Sequence, residues 1–555
     1  MKKNLFLTGV LATAFLFGCS DDMPNNGGLE NVKGEVGYVK VAINLPTTSG
    51  VPVKGANGND NFGDGIEAEY KVNDIILAIF EGDDEGDATF KEAQNLSGLL
   101  AMQSSVNNVT VKYKSDVLEI GKPGEGKNVY ALAIVNGKGF FSVNENKELK
   151  FGDTNFTGTL SALNNEAKTV ELAKMANVNE KNFLMLNAPI TNKPSSTTVT
   201  TGREVTTLVP LHVYKTKREA EGNWENADQI YVERAVAKVT TSVKGTDNTL
   251  TIPDGKGLVY DGAKVTFEGW RLNLTNKTYF PVRNVSDWNT WEGYNVGTEV
   301  NRFFGTAENP YRVYWAIDPN YRSTVVEGAN TSLNQLTVVA DDQWNGMSDN
   351  EYCAENTTTA AEMNRARLTG VLLKAKFTLK GGTEDDNLFM LGSSSSIYSK
   401  KQLLDFLKTT LGYDLQVKTG AIAQTITSVD KVKEVFEFKD AATVMDNTKA
   451  GEILKACSNT IRFYKGGVMF YYTTVIKHFN DIADAAGTTY KDEDHLGLYG
   501  VVRNNWYDIK INSVSGPGEP EIPVIPDEPV NTEHSYINAQ INILSWAKRT
   551  QNVEL

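Results

Sequence analysis

Between Tyr38 and Leu45 the side chains alternate, with Val39, Val41, Ile43 and Leu45 set against Tyr38, Lys40, Ala42 and Asn44. A period of two is the signature of a half-buried strand, and Pro46 closes it. A loose polar stretch rich in Gly, Asn and Asp follows from Thr47 to Gly65. Short β-like runs then appear at Asp74–Phe80, Val109–Tyr113, Val129–Val135 and Thr206–Tyr214, separated by turn-forming Gly, Asn and Asp clusters. That spacing is the pattern of an all-β sandwich. A second block begins near Ile230, with predicted strands at Ala235–Val243, Ala263–Leu274, Tyr311–Ile317 and Val371–Leu379. Three helical segments interrupt it. Lys401–Leu411 sets Leu403, Leu404, Leu407 and Leu411 on one helical face. Ala441–Ala456 and Val475–Ala486 are similarly patterned, and all three are read as decorations on a β core.

The tail changes the picture. Asp508–Val514 alternates as a strand, and Gly516 to Asn531 then carries Pro517, Pro520, Pro523, Pro526 and Pro529. Proline at every third residue favours extended polyproline II and cannot enter a sheet interior. The segment therefore reads as a stiff spacer that holds the chain's end away from the body. That end carries an amphipathic strand: Ile537, Ala539, Ile541 and Ile543 alternate with Asn538, Gln540 and Asn542, and Trp546 comes after. Such a strand needs an edge to satisfy its backbone. Burial of its isoleucines contributes ~1.5–3 kcal/mol each before ordering costs. Two destinations are open: its own domain, or a neighbouring subunit by β-augmentation. The second is a head-to-tail contact that does not close and so generates a filament.

The amino terminus sets the compartment. Lys2 and Lys3 precede an apolar run from Leu5 to Gly18, shorter than the ~20 residues of a spanning helix. It reads as the apolar core of a signal peptide. It ends in Leu16-Phe17-Gly18-Cys19, close to a bacterial lipobox, whose cysteine becomes the acylated first residue. The alternative is an ordinary signal peptide with an incidental cysteine. Ser20, Asp21 and Asp22 resemble the acidic signal that sends some lipoproteins to the outer surface. No later stretch is apolar enough to cross a membrane, so the remainder is read as soluble.

A chain of 555 residues with 40% hydrophobic and 10% aromatic side chains can build two large cores. Its net charge of −14 argues against a nucleic-acid partner, which requires a basic face. Cys353 and Cys457 could pair or remain buried thiols. The four histidines, His212, His478, His495 and His534, show no zinc-type spacing. Neither a Gly-rich phosphate loop nor a serine nucleophile elbow is present. The reading is therefore no enzyme and no cofactor. The acidic loops Asn57–Asp64 and Glu81–Asp87 fit no EF-hand pattern and are read as solvated turns. Trp270, Trp315 and Trp506 lie in strand-like runs and are assigned to the core, although exposed aromatics would suit a surface-binding lipoprotein.

An ordered set of short motifs resembles the fimbrillin family, the type V pilus subunits of Bacteroidales, and most of all the major subunit of the minor (short) fimbria. After the lipobox and Tyr38–Pro46 come Tyr130-Ala131-Leu132-Ala133-Ile134-Val135-Asn136 and Phe183-Leu184-Met185-Leu186-Asn187. Val232-Glu233-Arg234-Ala235-Val236-Ala237-Lys238-Val239 and Tyr311–Tyr321 (with Trp315, Asp318 and Pro319) follow. Then come Tyr352-Cys353-Ala354-Glu355-Asn356-Thr357, Ala375-Lys376-Phe377 and Val502-Arg503-Asn504-Asn505-Trp506-Tyr507. The closing Ile543-Leu544-Ser545-Trp546 and Val553-Glu554-Leu555 complete the set.

The resemblance implies a mainly β fold of two tandem β-sandwich domains, transthyretin-like with Greek-key connections, bearing a few helical insertions and a carboxyl-terminal donor strand. Mapped here, residues 1–18 are the signal peptide and 19–54 a lipidated propeptide with the first strand. Residues 55–228 and 229–515 are the two domains, 516–534 the linker and 535–555 the donor. The resemblance also implies lipidation at Cys19, palmitate included, and an outer-membrane precursor. A surface trypsin-like protease, Lys- or Arg-specific, removes the first strand, and the donor strand of another copy replaces it. Ile537, Ala539, Ile541, Ile543 and Trp546 are the donor side chains. Other implied partners are accessory and anchor pilus subunits and host or bacterial receptors, with roles in adhesion and biofilm. Family members are usually cut after arginine, but the first arginine here is Arg203, so Lys54 is the processing residue assigned. The alternatives are an anchor or accessory subunit that keeps its lipid, and a surface-binding lipoprotein that does not polymerise.

Overall fold

The computed structural model describes residues 36–549 apart from several stretches, the longest being 47–59, 192–203, 295–310 and 323–331. The chain is mainly β, as its alternation requires. Its first part contributes β1 (Val36–Val39), β2 (Val41–Pro46), β3 (Ile75–Gly82), β4 (Asn128–Val135), β5 (Met185–Asn187) and β6 (Asp228–Arg234). All but β1 join a nine-stranded sheet in the order Thr89–Asn95, β3, β4, β5, β6, β2, Val109–Lys114, Leu100–Gln103, with Val209–Pro210 also on β4. The unbroken apolar run Ile75 to Phe80 explains the interior place of β3, since a strand buried on both faces needs no polar side. Thr89–Asn95, which alternates exposed and shielded positions, takes the edge.

The later part contributes β7 (Ala237–Val243), β8 (Lys264–Asn273), β9 (Gly370–Thr378), β10 (Val468–Tyr472), β11 (Trp506–Val514) and β12 (Ile537–Leu544). One sheet runs Asn350–Cys353, β7, β11, Ala547–Arg549 and Asp60–Phe62, and β12 also pairs with β11. A four-stranded antiparallel sheet of Thr249–Thr251, β8, β9 and β10 faces it. Val239, Ile509 and Ile511 from one sheet share a core with Phe267, Trp270, Phe377 and Tyr471 from the other, which is a sheet-on-sheet sandwich. Only Ala235 and Val236 separate β6 from β7, so the chain passes directly from the nine-stranded sheet into this sandwich.

Between β9 and β10 an insertion builds its own core. Four short strands carry helices α1 (Lys400–Leu411), α2 (Val429–Val435) and α3 (Asn447–Ala456) over Phe389, Leu403, Leu407, Val432, Ile453 and Phe463. Ser399 and Gln402 form a capping box on α1, and Gly412 ends it in the left-handed region. Helix α3 begins at Asn447, later than the predicted Ala441, because the Asp446 side chain accepts from Lys449 N–H and so caps there.

Several expectations are corrected. The described residues of Val475–Ala486 form no helix. Val475, Ile476 and Phe479 are buried by an irregular segment, where Ile476 N–H donates to Thr369 O and Lys477 pairs with Tyr499. Of Thr206–Tyr214 only Val205–Thr206 and Val209–Pro210 pair as strands, and of Tyr311–Ile317 only Tyr311–Arg312 does. Aromatic burial, not a ladder, accounts for Trp315 in that run. The proline-rich segment does not stand away from the body but lies across it, because body side chains and an edge strand bond to its backbone.

Candidate functional site

Three features bear on assembly: the first strand, the last strand with its strap, and the buried charges between the sheets. β2 is internal. It pairs in parallel with β6 (Ile43 opposite Ile230) and antiparallel with Val109–Lys114 (Ile43 opposite Tyr113). Val41, Ile43 and Leu45 are fully buried, and so is Asn44, whose amide donates to Ile230 O and Gln229 Oε1. Withdrawing β2 would open two edges on a groove between strands far apart in sequence. Cys19, Lys54 and Trp546 lie outside the described residues.

β12 pairs antiparallel with β11 of its own chain, Ile543 opposite Tyr507, Ile541 opposite Ile509, Ala539 opposite Ile511 and Ile537 opposite Val514. Ala547–Arg549 then pairs with Asp60–Phe62. In this structure the strand marked by Ile537, Ala539, Ile541 and Ile543 therefore uses an edge of its own molecule.

Polyproline chain makes no internal hydrogen bonds, so its carbonyls must find donors elsewhere, and here the body supplies them. The Tyr471 and Tyr464 hydroxyls donate to Gly516 O (3.3 Å) and Gly518 O (2.9 Å). Phe470 and Glu519 exchange both backbone bonds at 2.8 Å, and Arg365 N–H donates to Glu528 O at 2.9 Å. Ile525 is buried with Leu274 and Leu333, and Val530 with Met363, Leu368 and Leu498. Gly518 permits the approach, because a Cβ there would sit 2.5 Å from Phe470 O.

The short motifs that are scattered in sequence converge on a buried charge network at the β6–β7 junction. Neighbouring strand residues face opposite sides, so Glu233 and Arg234 serve two clusters. In one, Lys238 Nζ and Tyr352 OH both donate to Glu69 Oε1, at 2.7 and 2.6 Å, while Arg234 donates to Glu69 O and Asn504 Oδ1. In the other, Arg283 donates to Glu233 at 2.6 Å and Arg503 to Glu355 at 2.8 Å, all four side chains being buried. Burial works to raise the Glu69 carboxyl, yet the charges of Lys238 and Arg234 and its two hydrogen bonds outweigh that and hold it low. Burial depresses Lys238. Nearby, burial pushes Asp318 up to about 7, against hydrogen bonds from Thr357, Asn320 and Asn276. Glu69 and Arg283 carry no sequence signal of their own, since each sits in an ordinary polar run and only tertiary contact pairs it.

This arrangement braces the sheets against one another. His478 is buried, with Nδ1 at 2.8 Å from Tyr507 OH and Nε2 at 3.1 Å from Tyr314 O. Cys353 and Cys457 are free buried thiols, both pushed up by burial. Among the described residues no group of three His, Cys, Asp or Glu side chains is placed to hold a metal ion.

Residues 462–552 match the family described as "Major fimbrial subunit protein type IV, Fimbrillin, C-terminal". The matched segment spans β10, β11, the strap and β12. No curated protein matches the chain. Among solved structures, a candidate cell adhesion protein from Parabacteroides distasonis aligns at 10% identity over 93% of this chain and 98% of its own, with a TM-score of 0.36. The tip fimbrial protein Mfa3 from Porphyromonas gingivalis, truncated at its C-terminus, aligns at 10% identity over 91% and 99%, with a TM-score of 0.32. A fimbrial assembly protein from Parabacteroides distasonis aligns at 11% over 61% and 82%, with a TM-score of 0.25.

Proposed function

We propose, from the premise that residues 462–552 form a fimbrillin carboxyl-terminal segment, that the chain is a polymerising subunit of a surface fimbria. It is exported as a lipoprotein acylated at Cys19, held at the outer membrane, and cut near Lys54 by a trypsin-like protease. The segment carrying β2 leaves, and the Ile537–Ile543 strand of another copy takes its place. The two β domains, which meet at Ala235 and Val236 rather than at the sequence-read boundary of 228/229 because β6 belongs to the first sheet, form the body of the subunit, and the assembled fibre serves adhesion and biofilm.

The observation that carries this reading is the placement of β2. An amino-terminal strand is buried between partners that come from residues 109–114 and 228–234. Its loss would uncover the groove that holds Val41, Ile43 and Leu45, each burial being worth ~1.5–3 kcal/mol. An emptied groove of that kind favours any strand of matching alternation, and the chain carries one at its other end.

The pairing of β12 with β11 of the same chain favours a second reading, an anchor or accessory subunit that keeps its lipid. The amino-terminal sequence of protein sheared from the cell surface separates the two. A start near Gly55 in material that runs as ladders supports polymerisation. A lipidated Cys19 with no shorter form refutes it in favour of the anchor.

A further inference from the structure

We infer that the proline-rich segment Gly516–Val530 is a permanent strap, so that the tail departs for a neighbouring subunit from Val530 and not from Val514. The inference rests on the reading of Ile537–Ile543 as a donor strand. It sets the distance at which two copies can join, which the donor reading alone leaves open.

The strap is fastened along its length by different parts of the body. At its start are the two tyrosine hydroxyls and the double backbone bond between Phe470 and Glu519, which makes residue 519 an extra rung on the edge strand β10. Next, Glu521 accepts from Thr425 N–H at 2.9 Å and Glu519 lies 3.7 Å from Arg462, so the strap also ties down the helical insertion. Further on, Ile525 and Val530 are each 2% exposed. Arg365 meets Glu528, Asn364 donates to Asp527, and Asn364 bridges Pro529. Buried side chains at two points, combined with main-chain bonds between them, describe a built contact. None of the contacts just named involves a residue of β12, so β12 can unpair from β11 while they persist.

The consequence is geometric. An extended chain covers roughly 3.3 Å per residue, so a free linker from Val514 to Ile537 reaches about 76 Å, and one fixed at Val530 reaches about 23 Å. A docked strap thus confines the donor strand to grooves within the shorter reach of Val530, and raises its effective concentration there. Fibre pitch is then set by the body, not by linker slack.

A disulfide staple tests this. F470C/E519C joins the strap to β10 at a directly paired position, and Cys353 and Cys457 are buried and do not compete. The full chain carrying the pair is expressed in cells lacking the natural copy, and sheared surface fibres are quantified under oxidising and reducing conditions. The expected result is equal fibre yield in both, with the crosslink verified by mass spectrometry of the fibres. A fall of roughly tenfold or more on oxidation means the strap must lift to extend the tail, and overturns the inference. Should that pair fail to fold, N364C/P529C staples the other end with the same two outcomes. Hydrogen exchange gives an independent reading: Phe470, Glu519 and Arg365 amides should be as protected in fibres as in the precursor, and lost protection refutes a permanent strap. Deletion of residues 531–555 separates the premises. Fibres from that deletion would sink the donor reading and this inference with it, whereas no fibres plus a blocking staple would sink the strap alone.

Discussion

Glu69 is the carboxylate on which the junction between the two β assemblies turns, and Glu69→Gln probes it with little change of shape. The side chain is fully buried and accepts from Lys238 Nζ and Tyr352 OH on the same oxygen. The substituted amide can still accept from Tyr352, but it cannot neutralise Lys238, which is 3% exposed and whose ammonium lies 4.1 Å from the Trp506 ring centre. Breaking one partner of a buried pair costs ~3–5 kcal/mol, because the other charge stays uncompensated. Set against a typical total of about 5–15 kcal/mol, that is a large share of the stability of this region. Replacing both partners, as Glu69→Leu with Lys238→Met, should recover the part of the loss that comes from the unpaired Lys238 charge, since an apolar pair of similar volume is often neutral. The double variant also gives up the Lys238–Trp506 contact, about 0.5–2 kcal/mol, and the hydrogen bonds that Tyr352 OH and Ile66 N–H donate to the Glu69 carboxylate. Intrinsic fluorescence of the eight tryptophans, Trp506 among them, follows the transition in a urea series, with midpoints compared across the cycle.

The pH dependence supplies a sign. In the single variant Lys238 is buried with a depressed pKa, so the unfolded state binds more protons than the folded one and stability must rise with pH. That gain should appear as pH climbs towards 10.5, the ordinary lysine value. A single variant that loses less than about 1 kcal/mol, or a double variant as unstable as the sum of the singles, would refute the argument.

Asp318 predicts the opposite slope. With its folded pKa raised to about 7 from 3.8, the folded state holds the proton more tightly, so the contribution of this group to stability falls as pH rises from about 4 to 7 and then levels off. Asp318→Asn should flatten that limb in thermal melts taken across the range; an unchanged slope would exclude Asp318 as its source. Cys353 and Cys457 should resist a thiol reagent in native buffer and react fully in denaturant, and rapid native labelling of either would contradict their burial. Leu403→Ala should cost ~2–5 kcal/mol, felt in the insertion, whose core is separate. Hydrogen exchange should show α1 to α3 opening while β7 and β11 stay protected, and simultaneous opening of both would show one shared core.

Features that depend on local periodicity and local chemistry were legible in the amino-acid order alone. Period-two alternation marked β2, β11 and β12, the apolar run marked β3, and a leucine face marked α1, because backbone period is decided within a few residues. The short motifs were also visible, but their purpose was not. Arg503 pairs with Glu355 across 148 residues of chain. Glu233, Arg234 and Lys238 share one motif, but Glu69, Arg283 and Tyr352 are distant in sequence, and folding alone brings them together as buried partners.

The same limit explains the strap. Proline spacing correctly predicts an extended, bond-poor chain, yet whether that chain stands free or lies down depends on donors elsewhere, here Tyr464, Tyr471 and Arg365. It explains the irregular burial of Trp315 and Ile476, where packing replaces a regular ladder. It also explains the partner of β12. Alternation states that a strand has one apolar face and needs an edge. Which edge it takes is settled by long-range packing, since every edge offers the same backbone groups.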